Sequence, residues 1–163
     1  MELKSRSCFV LGAGAAALVL VLDQLSKWWV ITRLMNPPRV IEITPFFNFV
    51  MWWNKGVTFG LFASAPGWGR WVMVALSLAI TAILVIWLLK VNDKLLALAI
   101  GLVIGGAVGN VIDRIRFTAV ADFLDFHVGL WHWPAFNLAD SAITIGVGLL
   151  LIDAFLARRE PLD

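Results

Sequence analysis

Two long apolar runs set the frame of this chain. Trp71 to Leu89 passes nineteen residues without a charge, and Leu95 to Ile112 passes eighteen. Each approaches the ~20 apolar residues that a helix needs to cross a bilayer. Phe9 to Ile31 is long enough as well but contains Asp23 and Lys27, and 136–157 qualifies only if Asp140 is tolerated inside it. Four spans are therefore expected, at about 9–31, 71–89, 95–112 and 136–157. Between the first two, the row "VIEITPFFNFVMWWNKGVTFGLF" is rich in β-branched and aromatic residues and is broken by Pro45 and by the turn-like Asn54-Lys55-Gly56. That pattern predicts a small sheet or hairpin over about 40–62. A further strand is expected in "IRFTAVADFLDF" from Ile115, whereas "LDFHVG" around Asp125 reads as loop, as does the segment with His127 and His132.

Composition agrees with the pattern. Of 163 residues 61% are hydrophobic and 15% charged, and the mean hydropathy is +0.88, well outside the range of an ordinary soluble domain. The fold class expected is an integral membrane protein, mainly α, with four transmembrane helices, a small periplasmic β-rich cradle, and one domain over 1–163. With the N-terminus cytoplasmic, the short inner segments hold Lys4, Arg6, Lys90, Lys94, Arg158 and Arg159, a higher basic density than the long outer ones. Every tryptophan except Trp87 then falls in or beside an outer segment, where amphipathic rings favour an interface. The "GAGAAA" of the first span suggests a cleavable signal or a dinucleotide fingerprint, but hydrophobicity continues to Leu22 and resumes at Trp28, and no strand precedes the glycines. Cys8 is the one cysteine, without a partner for a disulfide, and Lys4-Ser5-Arg6-Ser7 leaves no apolar signal before it. The net charge of +2 comes from scattered residues, which argues against nucleic acid as a partner.

Ionisable residues inside a span are expensive, about 2.5–3.5 kcal/mol each on insertion scales, so their spacing is informative. Asp23 and Lys27 are four apart on one helical face, either neutralising each other or orienting a substrate. Asn110, Asp113 and Arg114 share a face at the end of the third span. There Asp113 suits a salt bridge, and Asn110 and Arg114 suit a binding role. Asn137, Asp140 and Ser141 repeat the spacing at the start of the fourth span, where the helix dipole favours an anion and Asp140 would serve as a cap. Capping leaves Asp122 unexplained, a second carboxylate in the apolar "TAVADFLDF". Two acids converging at the outer membrane boundary share one proton and suit general acid–base hydrolysis of an amide. Asp125 ranks below Asp122. His127 and His132 lack a third ligand, so no metal is expected, and no serine has a plausible histidine partner. Gly101, Gly105 and Gly109 recur every four residues and predict close helix packing.

In order along the chain, "DQLSK" from Asp23, "NKGVTFG" from Asn54, "GNVIDR" from Gly109, "VADF" around Asp122 and "FNLAD" ending at Asp140 resemble the bacterial lipoprotein signal peptidase family, signal peptidase II. The resemblance implies an aspartic endopeptidase of the inner membrane, its site toward the periplasm, that cleaves prolipoproteins just before a diacylglyceryl-modified cysteine. It implies Asp122 and Asp140 as the catalytic aspartates and Asp23, Lys27, Asn54, Gly106, Asn110, Arg114 and Asn137 as substrate-contacting residues. No cofactor is implied, membrane lipids are the surroundings, and a monomer is expected. Val57 and Thr58 depart from the two alanines often found there in the family, which bears on the nearby pocket. A proton-coupled transporter or channel subunit, with Asp23, Asp113 and Asp140 as a relay, is the alternative. It would show internal repeats, and the two halves of this chain have no evident similarity. A passive assembly factor would tolerate replacement of all these polar residues.

Overall fold

The computed structural model describes residues 2–56 and 68–157. Val57 and Thr58 lie outside the described residues. Helix α1 runs Glu2–Trp29 and continues into a π-helical turn, Val30–Leu34. Strands β1 (Ile41–Thr44) and β2 (Phe47–Asn54) follow, then α2 (Gly69–Leu88), α3 (Lys94–Phe117), β3 (Val120–Val128), β4 (Trp131–His132) and α4 (Leu138–Ala157). All four helices are long and apolar enough to cross a membrane.

The expected spans and the helices differ mostly at their ends. Helix α1 starts seven residues before Phe9. Helix α3 continues five residues past Ile112, through Asp113, Arg114 and Arg116, to Phe117. Hydropathy stops where charge begins, but a helix continues wherever its backbone ladder is intact and its polar side chains find partners.

Helix α3 occupies the centre, packed against α1, α2 and α4, and it is largely buried while the other three turn much of their surface outward. With no hydrophobic drive between helices in lipid, small residues that let backbones touch supply the packing. A side chain at Gly105 would start 2.5 Å from the Ala16 carbonyl oxygen, and one at Gly101 would collide with the Gly12 backbone. The four-residue glycine repeat is thus the seam between α3 and α1, and Gly12 from "GAGAAA" is its counterpart. Asp93 caps α3, its Oδ1 accepting from the Leu96 N–H at 2.9 Å.

At the far end of α3, Thr118 in the left-handed region (φ 64°) turns the chain sharply, and β3 starts two residues later. The sheet is antiparallel in the order β1-β2-β3-β4. Strand β1 joins β2 through a tight turn at Pro45-Phe46, as proline and the aromatic alternation predict. Across β2 and β3, Asn54 faces Val120, Trp52 faces Asp122 and Asn48 faces Asp125, with a shift of register between Phe49 and Trp52. Phe47 packs on Phe49 and on Phe126, and Phe126 stacks on Phe136. Val30, Met35 and Phe123 form a buried cluster that fastens the π-helical turn to the sheet.

Two loop expectations are corrected here. Asp125 lies within β3, buried, not in a loop. His127 and His132 are cross-strand partners of β3 and β4, their rings stacked with centroids 4.8 Å apart. Strand β3 is buried along most of its length and so lacks the alternation that marks a half-buried strand.

Candidate active site

The two candidate acids reach one place by different routes. Asp122 comes on β3. The chain then makes the β3–β4 hairpin and returns along β3, the Leu124 N–H donating to the Phe136 oxygen at 2.9 Å and the Phe136 N–H to the Leu124 oxygen at 3.0 Å. This return lays Asn137 beside Asp122, and α4 begins at the next residue. Asn137 caps α4 reciprocally: the Asp140 N–H donates to Asn137 Oδ1 at 3.0 Å, and the Asn137 N–H donates to Asp140 Oδ2 at 3.2 Å. This is a capping box with aspartate in the third position.

The cap engages only one oxygen of Asp140. Its Oδ1 accepts from Asn110 Nδ2 at 2.8 Å. Asp122 Oδ1 accepts from Asn137 Nδ2 at 2.7 Å, and its Oδ2 accepts from Asn54 Nδ2 at 3.0 Å. Asn137 therefore touches both carboxylates, one with its main chain and one with its side chain. Asn54 is itself fixed, its Oδ1 accepting from the Gly56 N–H at 3.0 Å. Arg114 donates from Nη1 to the Asn110 oxygen and from Nη2 to the Gly56 oxygen, both at 3.3 Å.

Behind the acids lies a charged layer with almost no solvent contact. Lys27 Nζ sits 2.9 Å from Asp23 Oδ2 and 2.8 Å from Asp113 Oδ2. It also donates to Asn110 Oδ1 at 3.0 Å. An ammonium can only donate, so it fixes Asn110 with its oxygen inward and its NH2 toward Asp140. Every carboxylate oxygen of the layer has a donor, and the two that face Lys27 have a second one. Asp23 Oδ1 accepts from the Ala139 N–H at 3.1 Å, Asp113 Oδ2 from the Ala121 N–H at 3.3 Å, and Gln24 Nε2 donates to Asp23 and Asp113 at 3.1 Å each. One lysine thus ties α1 and α3 to the starts of β3 and α4, the two elements that carry the acids. Gln24 stands within "DQLSK", yet nothing in its type or spacing singled it out.

Asp122 and Asp140 line one groove of about 1520 Å³, together with Asn54, Asn110 and Arg114. One wall is α4, with Ser141, Ile143, Thr144 and Ile145; the other is the sheet. Asp23, Lys27, Gly106 and Asn137 are not on its surface. Asp23, Lys27 and Asn137 are at most 2% exposed, and their polar atoms are taken by neighbours. Gly106 meets the Ala139 carbonyl, and Gly109 leaves room for the Asp23 carboxylate. Among the described residues no three or more His, Cys, Asp or Glu side chains converge as a metal site.

Burial pushes the Asp122 carboxyl up from its ordinary value of 3.8 to about 7; the nearby Asp140 charge adds to the rise, and the Asn54 and Asn137 amides oppose it. The consequence for stability has a definite sign. Below pH ~4 the group is protonated folded and unfolded alike; between ~4 and ~7 only the folded protein keeps the proton, so stability falls as pH rises through that window. The slope is at most about 1.4 kcal/mol per pH unit. Asp122→Asn lacks this dependence. Its melting temperature relative to wild type should therefore rise between pH 5 and pH 8 in detergent, and a constant difference would contradict the shift.

Four membrane-length helices, with Asp140 on α4 and Asp122 on the adjoining strand β3 opening onto one groove, define a multi-pass membrane protein with a candidate acid–base site. Residues 15–156 match the family described as "Signal peptidase (SPase) II", and the chain belongs to that family. A "Lipoprotein signal peptidase" of Beijerinckia indica is 48% identical over 92% of this chain and 90% of its own length. One of Paraburkholderia phymatum is 49% identical over 86% of this chain and 84% of its own. Two solved structures, each described as a bacterial membrane enzyme, superpose with TM-scores of 0.80 and 0.76 at 29% and 30% identity. They cover 93% and 88% of this chain and 93% and 91% of their own. The comparisons lend no support to a transporter.

Proposed function

We propose that this signal peptidase is an aspartic endopeptidase that removes the signal peptide from diacylglyceryl-modified prolipoproteins, cutting just before the lipidated cysteine. The observation that carries the reading is that Asp122 and Asp140, from different elements, open onto one groove and are both held by Asn137. The relatives' activity points to the same substrate class. The pair shares one proton, and burial favours Asp122 as its holder. Asp140 takes a proton from the attacking water as its oxygen bonds to the carbonyl carbon. Asp122 then gives its proton to the leaving nitrogen as the C–N bond breaks, and the cycle closes when Asp140 returns a proton to Asp122 through solvent. Asn54, Asn110 and Arg114, on the groove surface, hold the substrate backbone. The signal segment and acyl chains lie against the apolar α4 wall.

The protein works as a monomer in the inner membrane, among its lipids, with the groove on the periplasmic side. Asp140 stands at the edge of a span because the bond to be cut lies where the apolar signal ends. The test is to incubate purified protein with diacylglyceryl-modified and unmodified precursor and read the product by mass spectrometry. Cleavage of the modified form alone, directly before the cysteine, is expected. Equal cleavage of both forms, or a cut elsewhere, would overturn the reading.

A further inference from the structure

Three residues of the groove have no part in the acid pair. Asp125 is 6% exposed, and Asn48, opposite it on β2, is 5% exposed. Asn48 Nδ2 donates to Asp125 Oδ2 at 3.0 Å. His132 Nδ1 lies 2.9 Å from both Asp125 oxygens, while its side chain is 49% exposed. All three line the groove that holds Asp122 and Asp140. A buried acceptor-only carboxylate on Nδ1 fixes the proton there and orients the ring, as in other carboxylate–imidazole pairs. His127 packs on the ring at 4.8 Å and stiffens it further. Among the described residues His132 Nε2 has no hydrogen-bond partner, so a preoriented polar atom is left for something else.

The groove itself says which part of a substrate this is. Its α4 wall, with Ile143 and Ile145, descends into the span and suits the apolar signal segment. The strand wall leads the other way, since β3 leaves the end of α3 through the Thr118 turn. Asp125 lies three residues beyond Asp122, which is roughly 10 Å at the strand rise of ~3.3 Å per residue. An extended peptide starting at the acid pair covers that distance in about three residues. Its polar main chain needs hydrogen-bond partners where it leaves the lipid boundary.

We propose that Asn48, Asp125 and His132 form a second polar station that holds the extended polypeptide just downstream of the cut, His132 hydrogen-bonding its main chain two to three residues past the scissile bond. His132 is the contact, and Asp125 and Asn48 are positioning residues. The assignment rests on the cleavage direction given under Proposed function.

The test uses diacylglyceryl-modified precursor peptides ending one, two, three, four or six residues after the cut, with KM and kcat measured for wild type, His132→Ala and Asp125→Asn. In wild type kcat/KM should rise three- to tenfold once the second or third downstream residue is present, the range of one net hydrogen bond. In His132→Ala that step disappears, and in Asp125→Asn it shrinks, the change being carried by KM. An N-methyl group on the downstream amide in question should cost wild type the same factor and His132→Ala none. This arm needs only native enzyme for its main effect and so stands even if Asp125→Asn folds poorly. An identical length dependence in wild type and His132→Ala, or a loss equal for short and long peptides, would overturn the proposal and leave the acid pair untouched. A wild-type enzyme that does not cut before the modified cysteine would instead overturn the reading on which it rests.

Discussion

Asp122→Asn and Asp140→Asn should each lower cleavage of diacylglyceryl-modified precursor by about 10²- to 10⁴-fold, the range for loss of a positioned acid or base. Asparagine keeps the shape of the side chain but neither takes a proton from water nor gives one to a leaving nitrogen. Each substitution also turns an amide NH2 toward a neighbour that already donates, Asn110 or the Asn137 N–H at Asp140 and Asn54 or Asn137 at Asp122. The double variant should be no worse than the poorer single one, because residues that act as a unit are not additive. Single-turnover rates on modified precursor, read by mass spectrometry, decide the matter. Either single variant cleaving within tenfold of wild type would exclude these two residues as the reacting pair.

The second large effect belongs to Lys27, which never reaches the groove. Lys27→Met leaves Asp23 and Asp113, both 0% exposed, without their shared cation. Removing one partner from a buried ion cluster costs about 3–5 kcal/mol, since the charge left behind is neither paired nor hydrated. Activity should fall as well, because the Asn110 oxygen then keeps only the longer 3.3 Å bond from Asn137 Nδ2 to hold it turned away from Asp140. Neutralising the layer as a whole, with Asp23→Asn and Asp113→Asn added to Lys27→Met, should recover much of the lost stability, as removal of an entire buried ion cluster often does. Thermal unfolding in detergent, followed through the tryptophans, measures both. A Lys27→Met protein melting with wild type would show that the layer does not hold the site together.

These two predictions separate residues that the sequence treats alike. Asp23, Lys27, Asn110, Asp113, Asp122, Asn137 and Asp140 are all polar groups in apolar surroundings, and a one-dimensional pattern marks each as costly. It does not say which face solvent. That division comes from α3 and α1 closing along glycines, which seals Lys27 between two carboxylates, and from the return of the chain along β3, which brings Asn137 between Asp122 and Asp140. Asp125 shows the same limit from the other side. Its partners Asn48 and His132 lie 77 and 7 residues away in sequence, so nothing local distinguishes a loop carboxylate from one clamped in a strand.

By itself the sequence determined that the chain crosses a membrane, about where its helices run, which positions carry polar groups at a cost, and that the glycines mark a helix seam. These follow from local quantities: the length of an apolar run, the 3.6-residue period and the absence of a side chain. Only the tertiary structure decided that α3 continues past its apolar stretch, that β3 runs buried through Asp125 and on to Val128, and that some polar residues open on the groove while others stand behind it. Each of those depends on hydrogen bonds and ion pairs between segments far apart in the chain, whose energies are settled only when distant elements meet.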